Sequence, residues 1–258
     1  MEILVRLGSF AGVFALLAFL EYIAPRRKRP IGRKPRWFGN LAIVAINTAV
    51  IRLAFPLVAV GVALVSRQRE WGLFNNVNVP GPVAFVLSVV LLDFVVYLQH
   101  VMFHAVPLLW RIHRMHHADR DLDVTSGLRF HPLEIVLSML LKMVAVLLIG
   151  PSLAAVVTFE VLLNATSMFN HSNFYIPLGF DRILRWFVVT PDMHRVHHSV
   201  RRDETDSNFG FNLPWWDRLL GTYRAQPREG HDGMTIGLSE YLEQDTMKLR
   251  WMLLVPFR

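Results

Sequence analysis

Eight of the eleven histidines fall into three boxes, His100-xxx-His104, His113-xx-His116-His117 and His194-xx-His197-His198. Residues three and four apart on a helix share a face, so each box turns its imidazoles to one side. Chance places an HxxHH pattern in such a chain roughly 0.02 times, so finding two identifies a motif. Neutral imidazole is the commonest biological metal ligand. The boxes therefore predict a polyhistidine metal site. Asp93 and Tyr97 lie on the same helical stripe as His100 and His104. His131 opens and His171 closes an apolar hairpin whose two ends return to the same level. His171 is expected as a further ligand, and His131 as either a ligand or a hydrogen-bonding group.

Catalytic zinc usually takes three protein ligands, so eight or nine imidazoles suggest two ions with four or five ligands each. Nitrogen-rich sites with an open position suit Fe, Cu, Ni or Zn. Two irons can reduce O2 to an oxidant able to take hydrogen from an unactivated C–H bond, and such chemistry needs no nucleophilic side chain. The chain has no cysteine, which excludes thiolate-held haem, Fe–S clusters and cysteine-bound zinc. A haem held by two histidines would leave most of the boxes unexplained. A zinc-dependent membrane hydrolase and a non-enzymatic metal-binding protein or transporter are the competing classes. Against a transporter, the histidines sit at span ends and no internal repeat is visible.

The elements that must position these groups read as membrane helices. Of 258 residues, 53% are apolar and the mean hydropathy is +0.36, which suits an all-α integral membrane protein with four to five spans. Residues 3–23 form a first span that lacks the basic start and cleavage site of a signal peptide. The basic loop with Arg26, Arg27, Lys28, Arg29, Arg33, Lys34 and Arg36 marks the cytoplasmic side. A second span is expected from Phe38 to Val65, then a short external loop, then a third span opening at Pro80 and Pro82 and ending at His100 and His104. From His131-Pro132 to His171 the pattern is a hairpin broken at Gly150-Pro151. Its equidistant charges predict a Lys142–Glu160 pair, and similar counting predicts Arg52–Asp93. Asp119, Asp121 and Asp123 read as a solvated loop. Trp215, Trp216, Leu219 and Leu220 suit either the membrane interface or a cap under the histidines, and the ending KLRWMLLVPFR reads as interfacial. Three segments follow: membrane helices in 1–79, a catalytic domain in 80–225 and a tail in 226–258. The net charge of +7 gathers in loops between spans, which points to anionic lipid heads and away from nucleic acid.

The three boxes, with RFHPLE (Arg129–Glu134), NHSN (Asn170–Asn173), TPDMHRVHHS and NFGFNLPWWDRLLGTY (Asn208–Tyr223), resemble the fatty acid hydroxylase/sterol desaturase superfamily over about residues 85–225. The resemblance implies an integral-membrane non-haem di-iron oxygenase that hydroxylates or desaturates a fatty acyl, sterol-like or other lipid. It implies His100, His104, His113, His116, His117, His194, His197 and His198 as iron ligands with His171 as a ninth, and O2 as co-substrate. Tyr97, Glu134, Asn173, Asp192, Asn208 and Asp217 are expected to support the ligands. With no room for a fused cytochrome b5-like domain, electrons are expected from a separate ferredoxin- or cytochrome b5-type donor with its reductase. The site should face the cytoplasm, from the inner membrane of a bacterium or the endoplasmic reticulum of a eukaryote.

Overall fold

The structure is a computed structural model and describes residues 2–29 and 32–258. Pro30 and Ile31, in the basic loop expected to be broken by proline, lie outside the described residues. Helices α1 (Glu2–Ile23), α2 (Arg33–Ala54), α3 (Ala59–Gln68), the short α4 (Leu73–Asn76) and α5 (Gly81–Ala105) make the first part of a bundle. Helix α6 (Pro107–His117) leaves the bundle, and α7 (Pro132–Ile149) and α8 (Leu153–His171) re-enter it as a hairpin. A cap follows, built on α9 (Leu178–Leu184), α10 (Pro191–His197), α11 (Arg202–Thr205), α12 (Trp215–Leu219), α13 (Gly230–Gly233) and α14 (Leu249–Leu254). Among the described residues strand pairing is limited to two isolated bridges.

Five segments are long and apolar enough to cross a membrane: α1, residues 33–76, α5, α7 and α8. The chain is a multi-pass membrane protein, and its all-α class is the one expected. Local signals explain the ends. Proline occupies the first turn of α5, α6, α7 and α10, where its missing N–H costs nothing. Ser152 and Thr190 cap α8 and α10 by accepting from Ala155 and Met193 N–H. Gly150 closes α7 in the left-handed conformation at φ +66, which favours glycine. Gly72 packs against this turn, where a Cβ would stand 2.4 Å from Gly150 N. At the bundle centre α3, α5, α7 and α8 meet through Ala59, Ala63, Leu92, Ala145, Val146 and Phe159. The small residues among them let the backbones approach closely. Leu4, Leu53, Val144 and Leu148 stand exposed, as side chains facing lipid must.

Several sequence expectations are corrected. The second span is not continuous from Phe38 to Val65: α2 stops at Ala54 and α3 starts at Ala59, because Pro56 brings no N–H to the ladder. Lys142 does pair with Glu160, at 2.9 Å, and Arg6 joins them at 2.6 Å. Asp93 does not pair with Arg52. It accepts from Asn212 N and Nδ2, Leu213 N and Trp216 Nε1 at 2.8–3.3 Å, enough to fill a carboxylate without a cation. That bond turns Trp216 inward, while Trp215, Leu219 and Leu220 remain exposed.

Asp119, Asp121 and Asp123 are buried, not solvated. The fully buried guanidinium of Arg36 donates to Asp119 at 2.7 and 3.0 Å and to Asp123 at 3.1 Å. The basic loop is likewise only partly a lipid-facing surface, since Arg26 and Arg29 pair with Asp192 and Glu21. The C-terminal segment is packed: Trp251, Met252 and Val255 bury against Met115 and Ala118 of the histidine-bearing region. Replacing Arg36 by Met is expected to cost about 3–5 kcal/mol, because buried Asp119 loses its partner and Asp123 keeps only Arg29, at 3.6 Å. Unfolding in mild detergent checks this, with the exposed Lys34→Met control staying within about 0.5 kcal/mol.

Candidate metal centre

Four structural units bring the imidazoles together. The last turns of α5 carry His100 and His104 on one face. Pro107 then ends that helix direction and starts α6, whose inner face carries His113, His116 and His117. His171 is the last residue of α8. Helix α10 carries His194 and His197, and His198 is its C-terminal cap. All nine side chains are buried.

The rings form two groups. His100, His104, His113, His117 and His197 make one, and His116, His171, His194 and His198 the other, each with its ligand nitrogens within 4.8 Å of one another. Nε2–Nε2 separations are 3.1 Å for His104–His117, 3.2 Å for His113–His117 and 3.0 Å for His100–His197. In the second group His171 Nε2 lies 3.0, 3.1 and 3.2 Å from those of His116, His194 and His198. Two nitrogens bound to one ion at about 2.1 Å stand roughly 3.0–3.4 Å apart for angles between right and tetrahedral. The groups adjoin, with the His117 and His198 rings stacked at 4.5 Å.

Tautomers decide what those short contacts are. His100 Nδ1 faces Phe209 O at 2.8 Å, His116 Nδ1 faces Arg129 O at 3.0 Å, and His197 Nδ1 faces Ser207 O at 2.7 Å. His171 Nδ1 faces Ser167 O at 2.7 Å. His113 and His104 direct Nδ1 at Glu134 and Asp206 carboxylates, at 2.8 and 3.2 Å. A carbonyl or carboxylate oxygen accepts, so these six nitrogens must donate. A neutral ring then keeps a bare lone pair on Nε2. Burial first, and then the neighbouring imidazoles, hold His116, His117, His194 and His198 neutral well below the ordinary histidine range. Burial lowers His197 to about 3 against the opposing bond to Ser207. The Nε2 contacts of His100–His197 and His116–His171 are therefore lone pair against lone pair. A cation between them fits, and a hydrogen bond does not. The donor set, spacing and protonation suit two nitrogen-preferring transition-metal ions, with five and four imidazoles available.

The remaining candidates divide. Glu134, in the first turn of α7, orients His113. Asp217 accepts from Phe209 N and Gly210 N at 2.8 and 2.9 Å and so fixes the carbonyl that His100 uses. Tyr97 closes this network through Thr222 Oγ1 at 2.9 Å, and Thr222 donates to Asp217 at 2.7 Å. Asn208, at φ +53, donates to Met193 O and Arg224 O and holds its loop against α10. Asp192 pairs with Arg195 and Arg26, away from the rings. Asn173 ties the α8 exit to the backbone of Arg27. His131 is not brought to either group: it caps α7 by accepting from Leu133 N at 3.1 Å, and its Nε2 faces Leu253 O at 3.3 Å. Asp206 escapes sequence reasoning because it lies between the motifs, and the four carbonyls escape it because a main-chain oxygen has no residue signature.

A cavity of about 700 Å³ opens beside the rings and reaches His100 and His113. Leu92, Phe103, Met139, Phe159, Met168 and Phe211 are among its apolar walls, and Arg6, Arg52, Lys142 and Glu160 also line it.

The model of the fatty acid hydroxylase family matches residues 85–222. The chain belongs to the fatty acid hydroxylase family. Among its curated relatives, the ornithine lipid hydroxylase OlsE of Rhizobium tropici is 28% identical over 228 residues, 85% of this chain and 67% of the relative. The alkylglycerol monooxygenase of Xenopus tropicalis is 30% identical over 68% of this chain and 39% of the relative. Human cholesterol 25-hydroxylase is 26% identical over 52% and 49%. This chain thus spans about two-thirds of the first relative and less than half of the other two. No solved structure matches it.

Glu134→Ala removes the group that fixes the His113 tautomer, and is expected to weaken Co2+ binding about 10–100-fold. Competition titration against a chelator on the purified protein measures this, and Glu134→Gln should fall between the two.

Proposed function

We propose that this protein is a membrane-bound, O2-dependent di-iron oxygenase that acts on a C–H bond of a lipid. The observation that carries the reading is the pair of adjoining imidazole groups whose Nε2 lone pairs converge with no proton to share. Two irons held there would supply the reduction of O2 to an oxidant strong enough for an unactivated C–H bond. The ligands in this reading are the eight box histidines with His171. Of the competing classes, the hydrolase has less support: the named relatives are hydroxylases and monooxygenases, and those names favour hydroxylation over desaturation.

The chain's own residues divide the remaining work. Glu134, Asp206 and the carbonyls of Ser167, Ser207, Phe209 and Arg129 orient the rings and keep their Nε2 atoms unprotonated. The cavity lets an apolar chain approach His100 and His113 from within the bundle while Phe103 and Phe211 limit water. The basic residues near the cap favour a cytoplasmic site, where a separate ferredoxin- or cytochrome b5-type protein with its reductase would deliver electrons. In a bacterium the membrane would be the inner membrane, and in a eukaryote the endoplasmic reticulum. Residues 80–225 are the catalytic unit in this reading, with 1–79 adding cavity walls.

Protein purified without oxygen should hold about two iron ions per chain. His117→Ala and His198→Ala, one from each group, should each lose at least about 100-fold in lipid oxidation. Mass spectrometry after labelled O2 should find the label in the lipid. Turnover that persists without O2, or that needs zinc, would sink the reading.

A further inference from the structure

The cap carries an uncovered apolar face. Phe180 and Ile183 on α9, Trp186 and Phe187 in the turn after it, and Leu219 and Leu220 at the end of α12 are each 54–73% exposed. Neither α9 nor α12 is one of the five segments able to cross a membrane. Direct contacts join them into one face. Trp215 Nε1 donates to Trp186 O at 2.8 Å, and Arg218 donates to Arg185 O at 3.2 Å. The Arg218 guanidinium also lies over the rings of Trp186 and Tyr223, 3.8 and 3.9 Å from their centroids. Surfaces that meet only water rarely hold so many large apolar side chains together.

Two span helices fix the depth of this face. Asp93 of α5 accepts from Asn212 N and Trp216 Nε1, and it stands seven residues before His100, a rise of roughly 10 Å. Thr166 of α8 donates to the Asn212 side chain and stands five residues before His171, a rise of roughly 8 Å. Val189 N donates to Asn212 O at 3.0 Å, which brings the turn after α9 to the same level. Phe94 of α5 packs its ring against Trp216 at 4.6 Å. The face is thus attached beside the spans, on the bilayer side of the histidines rather than above them.

We infer that α9, the turn after it and α12 insert their exposed side chains into the lipid leaflet on the histidine side, so that this part of the cap lies in the membrane. Continuity names the occupant: the spans that hold Asp93 and Thr166 are themselves embedded in that leaflet. The composition agrees. Aromatic rings with an arginine among them suit the bilayer interface, where the rings enter the upper acyl region and the guanidinium reaches toward the headgroups. The inference is independent of the reaction at the histidines, and it fixes how far the nine imidazoles stand from the acyl chains.

Because the sequence has no cysteine, a single introduced thiol carries a fluorophore without background. Phe187→Cys and Leu219→Cys, labelled with NBD in the full chain and reconstituted in phosphatidylcholine nanodiscs, test the face directly, and Ile183→Cys and Leu220→Cys give a second reading in each element. A phosphatidylcholine with a nitroxide near the top of its acyl chain should quench all four as strongly as Leu162→Cys, exposed on α8, while iodide should not quench them. Glu229→Cys, exposed elsewhere on the cap, should show the reverse. Quenching by iodide without quenching by the nitroxide lipid would put the face in water. Shielding from both quenchers would put a protein there, such as a second copy of this chain. Either result overturns the inference, and neither depends on metal content or turnover.

Discussion

Four imidazoles, His100, His116, His171 and His197, give their Nδ1 hydrogens to carbonyl oxygens and aim bare Nε2 lone pairs at one another across 3.0 Å, in the pairs His100–His197 and His116–His171. All nine rings are buried, which keeps bulk solvent from relieving that repulsion. Protonation is opposed by the same burial and by the neighbouring rings. A cation at each focal point relieves the repulsion, so the ions of the proposed centre would contribute to folding as well as to chemistry. Everything around the rings serves to hold the donors of that network still.

Three buried polar anchors do the holding, and each ties the cap to a different helix. Arg36 joins α2 to the aspartates that follow α6, and so fixes where the chain goes after His117. Glu21 ends α1 by accepting from Val124 N and Asn173 N at 2.8 and 2.7 Å, which sets the exit of α8 just beyond His171. Asp93 collects the N–H groups of residues 212 and 213 with the Trp216 indole, and this docks the segment that carries Phe209 and Asp217. A buried charge with all its partners in place gives little net stability, but it admits one geometry. The histidines need that geometry to within a few tenths of an ångström.

The sequence is legible wherever periodicity or chemistry is carried by side-chain type alone. Box spacing reveals which faces the eight histidines share, hydropathy reveals the spans, and equal distance from Gly150-Pro151 suffices to pair Lys142 with Glu160. The same counting fails for Arg52 and Asp93, because it assumes one straight helix where Pro56 breaks the chain, and because Asp93 is satisfied by amides rather than by a cation. Asp119, Asp121 and Asp123 look like a solvated loop because charge in a turn usually is. Their burial follows from Arg36, eighty-three residues before Asp119 in the chain. His131 shows the limit for ligands: histidine next to an apolar helix serves equally as a metal donor or as an N-cap, and only the backbone of Leu133 decides.

Depth in the bilayer links the two halves of the molecule. Helices α5 and α8 each carry a histidine at the cap end and an ionisable residue further along, Asp93 and Glu160, yet those residues meet opposite fates. Asp93 faces the cap and is silenced by four donors. Glu160 faces the cavity and is matched there by Lys142 and by Arg6, which Glu2 holds from its other side. A structural ion pair placed in a membrane would tend toward neutrality, since any excess charge costs energy there with nothing to offset it. Between that ion-paired cluster and the histidines the cavity wall is apolar, with Leu92, Met139 and Phe159, which suits an apolar chain and offers a polar ligand no partners.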